Sequence, residues 1–255
     1  MTGQRIDTID SYFQKVSNAN KWTNLLFWFT VVCSIIILFT DRQPTINNVI
    51  NIIFIVATFG YFVFSNWLSL FLLREAQNKR RIHLLSNSLG VRLDDEHTNM
   101  YYNNSEEPSI IRLSINVFEN SLFTWRVTEE MLKKERIKVL SYVLIWLLLV
   151  LIRDINLNFI AVIAQTLFTT GLLINYIKLE LLRSSCCQVF NEFRQIFLNN
   201  GSSISKEVTA TLLSLVFRYE TAVASMGIHL SSTTFHNINP TVTQEWERVK
   251  ENVNL

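Results

Sequence analysis

Four strongly apolar stretches of this chain carry no charged residue, and no other feature of the sequence narrows the choice of fold so far. The first, between Lys21 and Asp41, is 19 residues long and contains Leu25-Leu26-Phe27-Trp28-Phe29 and Ile35-Ile36-Ile37-Leu38-Phe39. The second lies between Arg42 and Arg74 and is 31 residues long, with its lipophilic part at residues 49–73. At the rise of an α-helix that part crosses roughly 30 Å of hydrocarbon with tilt to spare. A third run, residues 139–152, has only 14 uncharged residues, or about 21 Å of helix. Lys138 and Arg153 must therefore snorkel to the two interfaces. Residues 155–177 supply the fourth, 23 residues interrupted only by neutral polar side chains.

Composition agrees with a membrane protein. Of 255 residues 49% are apolar, only 17% are charged, and there are just 6 Gly and 3 Pro; mean hydropathy is +0.23. A disordered or collagen-like chain is excluded, and a net charge of +2 is far too small for a protein that coats DNA or RNA.

The distribution of basic residues sets the expected topology. Of 23 Lys and Arg, only Arg42 and Arg153 fall in the short turns between paired spans, so both termini and the middle of the chain are expected in the cytoplasm. The expected fold is an all-α membrane protein: four transmembrane helices in two hairpins, each followed by a cytoplasmic helical arm. Its segments are a cytoplasmic amphipathic helix over 1–21, a first hairpin over 22–74, a helical region over 75–136, a second hairpin over 137–182 and a C-terminal helical region over 183–255. No cleavable signal peptide is expected, because the first apolar run is too long for a signal core and lacks a small-residue cleavage site. In the N-terminal segment Ile6, Ile9, Phe13 and Val16 recur at helical spacing, which suits a helix lying at the membrane, docked on the cytoplasmic part, or simply leading in.

The two halves look like copies of one plan. Leu70-Phe71-Leu72-Leu73-Arg74 at the exit of the second span matches Leu179-Glu180-Leu181-Leu182-Arg183 at the exit of the fourth. Each exit is expected to continue as a helical stalk, with a second helix returning over 110–125 and over 206–230. Both copies share one orientation, unlike the inverted repeats common in carriers. Residues 90–108 form an acidic and aromatic loop, Ser205 is a helix cap with Glu207 in the first turn, and Asn239-Pro240 introduces a short last helix over 243–252. No strand pattern is visible.

Catalytic and metal-binding signatures are absent: there is no glycine-rich phosphate loop or Cys-x-x-Cys, and His83, His97, His229 and His236 lack a ligand spacing. An enzyme is therefore not expected, and neither is a cofactor. Cys33, in the first span, is read as a small apolar residue; Cys186 and Cys187 are adjacent in a reducing compartment and are not expected to bridge.

Three groups of residues remain as candidates. Lys79-Arg80-Arg81 and the basic run from Lys133 to Lys138 flank the central segment, where they meet either anionic lipid headgroups or a phosphate-bearing ligand. The segment 74–138 holds 11 basic and 10 acidic residues, so it does not demand a polyanion. Glu119 and Glu220 each sit beside aromatic residues, as ion-paired packing contacts or as the carboxylates of a pocket that stacks a base. With Arg80, Arg81, Tyr101, Tyr102, Trp125 and Arg218 they make up the candidate ligand-binding set. Thr58, Tyr61, Ser65, Gln165, Thr169 and Asn175 are polar residues of the spans, serving as helix-to-helix glue or as pore lining. Four spans do not enclose an aqueous path by themselves, so a channel requires a homo-oligomer.

The stretches Asn87-Ser88-Leu89-Gly90, Tyr101-Tyr102-Asn103-Asn104, Phe118-Glu119-Asn120-Ser121-Leu122-Phe123-Thr124, Tyr219-Glu220-Thr221, Ile228-His229-Leu230-Ser231 and Glu245-Trp246, with the four-span plan, resemble the SMODS-associating four-transmembrane effectors of CBASS anti-phage defence. The resemblance implies a bacterial inner-membrane protein that disrupts the membrane when a cyclic oligonucleotide binds. It carries no ligand residue across. The layout of two paired spans also resembles the bestrophin anion channels, without their arginine- and tryptophan-rich motif, so a constitutive or ion-regulated channel is an alternative. A non-conducting membrane anchor that recruits a partner is another.

Overall fold

The computed structural model describes residues 6–40, 42–99, 102, 104, 106–151, 171–200 and 205–255. Apart from one short strand pair the described chain is helical. In order it comprises β1 (Ile6–Asp7), α1 (Asp10–Phe39), α2 (Pro44–Trp67), a π-helical turn (Leu68–Leu73), α3 (Arg74–Leu89), β2 (Thr98–Asn99), α4 (Ile110–Leu151), α5 (Leu172–Asn200), α6 (Lys206–Met226) and α7 (Ser232–Val253). The chain divides into two compact units.

The first unit comprises Met1–Gln14, Leu73–Leu132 and Lys178–Leu255. Its core is built on Phe118 of α4, which lies 5.0 Å from Phe190, 5.6 Å from Phe193 and 5.7 Å from Phe197, all three on α5. Trp246 of α7 meets Phe118 edge to face, with ring centroids 5.0 Å apart and planes at 85°, the arrangement that ring quadrupoles favour. Leu84 of α3 and Leu212, Leu215 and Val216 of α6 complete this apolar centre. Arg126 of α4 is ion-paired with Glu245 of α7, which ties the last helix to the bundle at the surface.

Local chemistry accounts for the ends of these helices. Ser205 accepts a hydrogen bond from the Val208 N–H at the start of α6 and Ser231 accepts one from Thr234 at the start of α7, each satisfying a donor that the helix cannot pair internally. Gly90 ends α3 in the left-handed region at φ +65°, and a Cβ there would lie 2.9 Å from both Cβ and Cγ of Pro108. Only glycine satisfies both the dihedral and the close approach.

The second unit comprises Lys15–Leu72 and Lys133–Ile177. Phe27, Tyr61, Val139 and Leu172 pack together within it, and Cys33, Ile37 and Phe54 form a smaller cluster. Pro44 begins α2 in the first helical turn, where its missing N–H costs nothing. The Asn47 amide donates to the Ile37 carbonyl at 2.8 Å and to Thr40 Oγ1 at 3.1 Å, covering the end of α1. Thr23, Thr30 and Ser34 donate to carbonyls of their own helix three or four residues earlier, which removes the cost of burying a hydroxyl among apolar groups.

Among the described residues two helices are long and apolar enough to cross a membrane, Asp10–Ile37 and Pro44–Leu89. Of their most apolar windows 33% and 11% are buried. The core helix of a water-soluble protein would hide most of such a window; here Leu25, Trp28, Ile52, Ile55, Val56 and Phe59 are exposed.

Of the readings open for the N-terminal helix, the lead-in agrees with the structure: α1 runs unbroken from Asp10 to Phe39, because no Gly or Pro interrupts that stretch. Three features differ from the sequence expectations. The returning helix of the first half does not stop near residue 125 but continues to Leu151, for the same reason. A pair of two-residue strands joins the N-terminal segment to the central loop, with Ile6 opposite Asn99 and Asp7 opposite Thr98; segments this short carry no alternation to read. Pro240 lies inside α7 rather than before a last helix. A proline costs a helix interior about 3 kcal/mol, and burial of Val242, Trp246, Val249 and Val253 along one stripe outweighs it.

Candidate functional site

The first unit contains a cavity of about 510 Å³, within the size range of small-molecule sites. Six parts of the chain wall it: Asp7, Asp10 and Phe13 from the N-terminal segment, Gln77, Arg80 and Arg81 from α3, Asn120, Phe123 and Thr124 from α4, Leu182 from α5, Tyr219 and Glu220 from α6, and His229, Phe235 and His236 among others from the α6–α7 connection and the start of α7. The α3 residues fall on one face because positions 77, 80, 81 and 84 follow helical spacing.

Its charges are arranged in pairs. Arg80 donates from both terminal nitrogens to Asp7, at 3.2 Å to Oδ1 and 2.8 Å to Oδ2, the fork geometry that guanidinium and carboxylate share. It also lies over the Phe13 ring, 5.5 Å from the centroid. Arg81 donates from Nε to Glu220 at 2.8 Å and from a terminal nitrogen to Asn78 at 3.0 Å. Burial pushes the Glu220 carboxyl up from its ordinary range, against the opposing hydrogen bond and charge of Arg81. With Asp10 counted, three carboxylates face two guanidinium groups.

The remaining lining carries no Asp, Glu, Lys or Arg. Thr124 and Tyr219 share a hydrogen bond of 2.9 Å between their hydroxyls. Burial lowers the affinity of His229 for a proton, so its ring is neutral at pH 7. Its Nε2 is buried and has no hydrogen-bond partner among the described residues, although it lines a cavity. Phe13, Phe123 and Phe235 supply aromatic surface. The chemistry on offer is recognition: paired charges, a neutral imidazole and aromatic faces. Among the described residues no group of His, Cys, Asp or Glu is placed to hold a metal ion.

Of the sequence candidates for ligand binding, Arg80, Arg81 and Glu220 come together in this cavity. Glu119 is buried in the bundle elsewhere. Trp125 packs on Phe190 and under Arg126, whose guanidinium lies 4.0 Å from its ring centroid. Tyr102 packs against the main core, and Arg218 pairs with Glu192 beside a shallower groove of α5 and α6. Tyr101 lies outside the described residues. The spacing of Glu119 suggested a pocket because it mirrors Glu220, but a one-helix motif does not say which face the neighbouring helices cover.

The pore-lining candidates belong to the second unit. Tyr61 is buried and tilted against Phe27 at 6.3 Å, the Thr58 hydroxyl oxygen is buried, Ser65 is half-buried and Asn175 is exposed. Gln165 and Thr169 lie outside the described residues.

Sequence reasoning did not single out Asp7, Phe13, His229 or Phe235 as cavity residues. The available signal at His229 was its position between a helix-ending Gly227 and a helix-capping Ser231, in a connection where polar side chains often serve function. Comparison with known proteins finds no matching family model, no matching curated protein and no matching solved structure.

Proposed function

We propose that this protein is a ligand-gated membrane effector that crosses the bacterial inner membrane four times, with both termini in the cytoplasm, and assembles into a homo-oligomer. A ligand fills the cavity of the first unit, and its preference for one conformation shifts the second unit towards a permeable state. The observation that carries this reading is the cavity itself: α1 contributes Asp10 and Phe13 to its wall, and that same helix continues through the exposed apolar stretch ending at Phe39. Helix α4 likewise brings Asn120, Phe123 and Thr124 to the cavity and runs on to Leu151. The resemblance to SMODS-associating effectors supplies the ligand, a cyclic oligonucleotide, and the role, membrane permeabilisation in anti-phage defence.

Ion and dye efflux from liposomes holding the purified protein tests this, with and without a panel of cyclic di- and trinucleotides. Efflux with one nucleotide only is the expected result. Efflux without any nucleotide would make the protein a plain channel, and no efflux under any condition would make it an anchor.

A further inference from the structure

The geometry points to Arg80 as the receptor for an oxyanion on the ligand, with Asp7 as a built-in stand-in that the oxyanion displaces; its ligand is a phosphate or carboxylate carried on an aromatic body. This rests on reading the cavity as the ligand site.

The Arg80–Asp7 fork presents both terminal guanidinium nitrogens to two oxygens of one acid group, and a phosphate matches that fork as well as a carboxylate does. Neither partner is sealed away, since the Arg80 and Asp7 side chains keep 20% and 14% of their exposure. An incoming anion can therefore exchange for Asp7 at one cation without opening the core. Aromatic rings stand beside the fork, Phe13 directly under Arg80 and Phe123 and Phe235 elsewhere in the lining, which suits a ligand with a flat apolar body. The buried Nε2 of His229, without a hydrogen-bond partner among the described residues, offers that body one further hydrogen bond.

The segment that carries Asp7 is held largely by polar contacts at its start. Beyond the Arg80 fork these include the strand pair with Thr98 and Asn99, the Thr8 hydroxyl on Glu96 at 2.6 Å, the Thr8 N–H on the His97 carbonyl at 3.2 Å, the His97 N–H on the Thr8 hydroxyl at 3.0 Å, and Lys79 and Arg80 over the Tyr12 and Phe13 rings. Ile9 alone is fully buried between residues 7 and 15. Displacing Asp7 removes the one charge-assisted fork among these contacts, and a short strand pair is not stable without support. The segment is thus a strap closed by its own carboxylate, and it leads directly into α1.

The test uses the full chain in nanodiscs of neutral phosphatidylcholine, with phenyl phosphate as probe and phenol as the uncharged control. Asp7→Asn removes the competing charge and is expected to bind phenyl phosphate about tenfold tighter or better. In the native chain saturating phenyl phosphate, but not phenol, is expected to speed amide exchange over residues 6–13. Arg80→Lys keeps the charge, loses the fork and is expected to weaken binding while α7 amides stay protected. The proposal is overturned if Asp7→Asn binds no tighter than the native chain, if binding leaves exchange over 6–13 unchanged, or if Arg80→Lys binds equally well. Nanodiscs containing phosphatidylglycerol separate the two sources of the oxyanion. Faster exchange there without probe identifies a lipid headgroup as the displacing anion, and unchanged exchange together with a response to phenyl phosphate identifies a soluble one. None of these readouts depends on conductance, so a failure of the efflux experiment and a failure of the strap remain distinguishable.

Discussion

Replacing Trp246 with alanine should release α7 from the bundle, and the size of the effect follows from the side chain's surroundings. The ring is fully buried and stands edge to face on Phe118. A buried tryptophan hides about 150–250 Å², which at about 25 cal/mol per Å² corresponds to roughly 4–6 kcal/mol. Alanine retains the Cβ and so loses roughly three quarters of this, and the ring pair adds about 1 kcal/mol. In the opposite direction, the indole N–H is buried without an acceptor among the described residues, a penalty of about 1–3 kcal/mol that truncation relieves. The net loss is about 3 kcal/mol, at the low end of the usual span for such truncations. Hydrogen exchange of α7 amides in nanodiscs should accelerate by a factor of about 10²–10³. Trp246→Phe drops the unsatisfied donor while keeping a ring and should cost about 1 kcal/mol or less. An acceleration below about tenfold for alanine, or equal damage from phenylalanine, would refute the argument. Because α7 also carries Phe235 and His236 of the cavity, the alanine variant should lose probe binding in parallel.

Two half-buried titrating groups should make stability depend on pH in opposite directions. The Glu220 carboxyl is raised, so its contribution is complete below the ordinary glutamate value and is lost as pH rises through the folded value; Glu220→Gln should flatten that decline in melts taken upward from pH 4.5. His229 is lowered, so its contribution is complete above the ordinary value of 6.5 and is lost as pH falls through the folded value; His229→Gln should lose less Tm than the native chain between pH 7.5 and 5.5. Equal slopes in native and variant chains would contradict the respective burial. Gly90→Ala should destabilise the first unit by about 2 kcal/mol or more, since the left-handed backbone costs about 1–2 kcal/mol and the Cβ collides with Pro108; an unchanged melting temperature would mean that the turn relaxes. Burial pushes the Cys186 thiol up to about 12, whereas Cys187 is half-buried, so maleimide at pH 7 should modify Cys187 and spare Cys186 in the folded protein. Peptide mass spectrometry showing equal labelling would contradict this.

The helical character and the two described apolar helices were legible in the sequence because their signal is additive: each uncharged residue from Trp22 to Thr40 adds to the same conclusion. Capping was legible for a similar reason, as Ser205 needs only its own neighbours to cap α6. Continuity was harder to see. After Lys138 the chemistry of α4 changes from charged to apolar, while its backbone has no reason to stop, and a change of composition looks like the end of an element. The cavity was least legible. Arg80, Arg81 and Glu220 stood out by their residue type, but Asp7, Phe13 and Phe235 are unremarkable in their local context and acquire a role only when α3, α6 and α7 surround them. Pro240 misled for the converse reason, since a strong local signal was outweighed by the buried stripe from Val242 to Val253.

The ion pairs in the cavity wall join residues far apart in the chain: Asp7 to Arg80 across 73 positions and Arg81 to Glu220 across 139. During synthesis the ribosome therefore delivers α1 and α2 long before Glu220, His229 and Phe235 exist. A nascent or truncated chain lacking α6 and α7 has its apolar helices in place and its strap partner Arg80 already made, yet it has no chamber for a ligand. If the cavity is the ligand site proposed above, responsiveness is the last property the polypeptide acquires, and a chain cut short by a premature stop is expected to bind no ligand there.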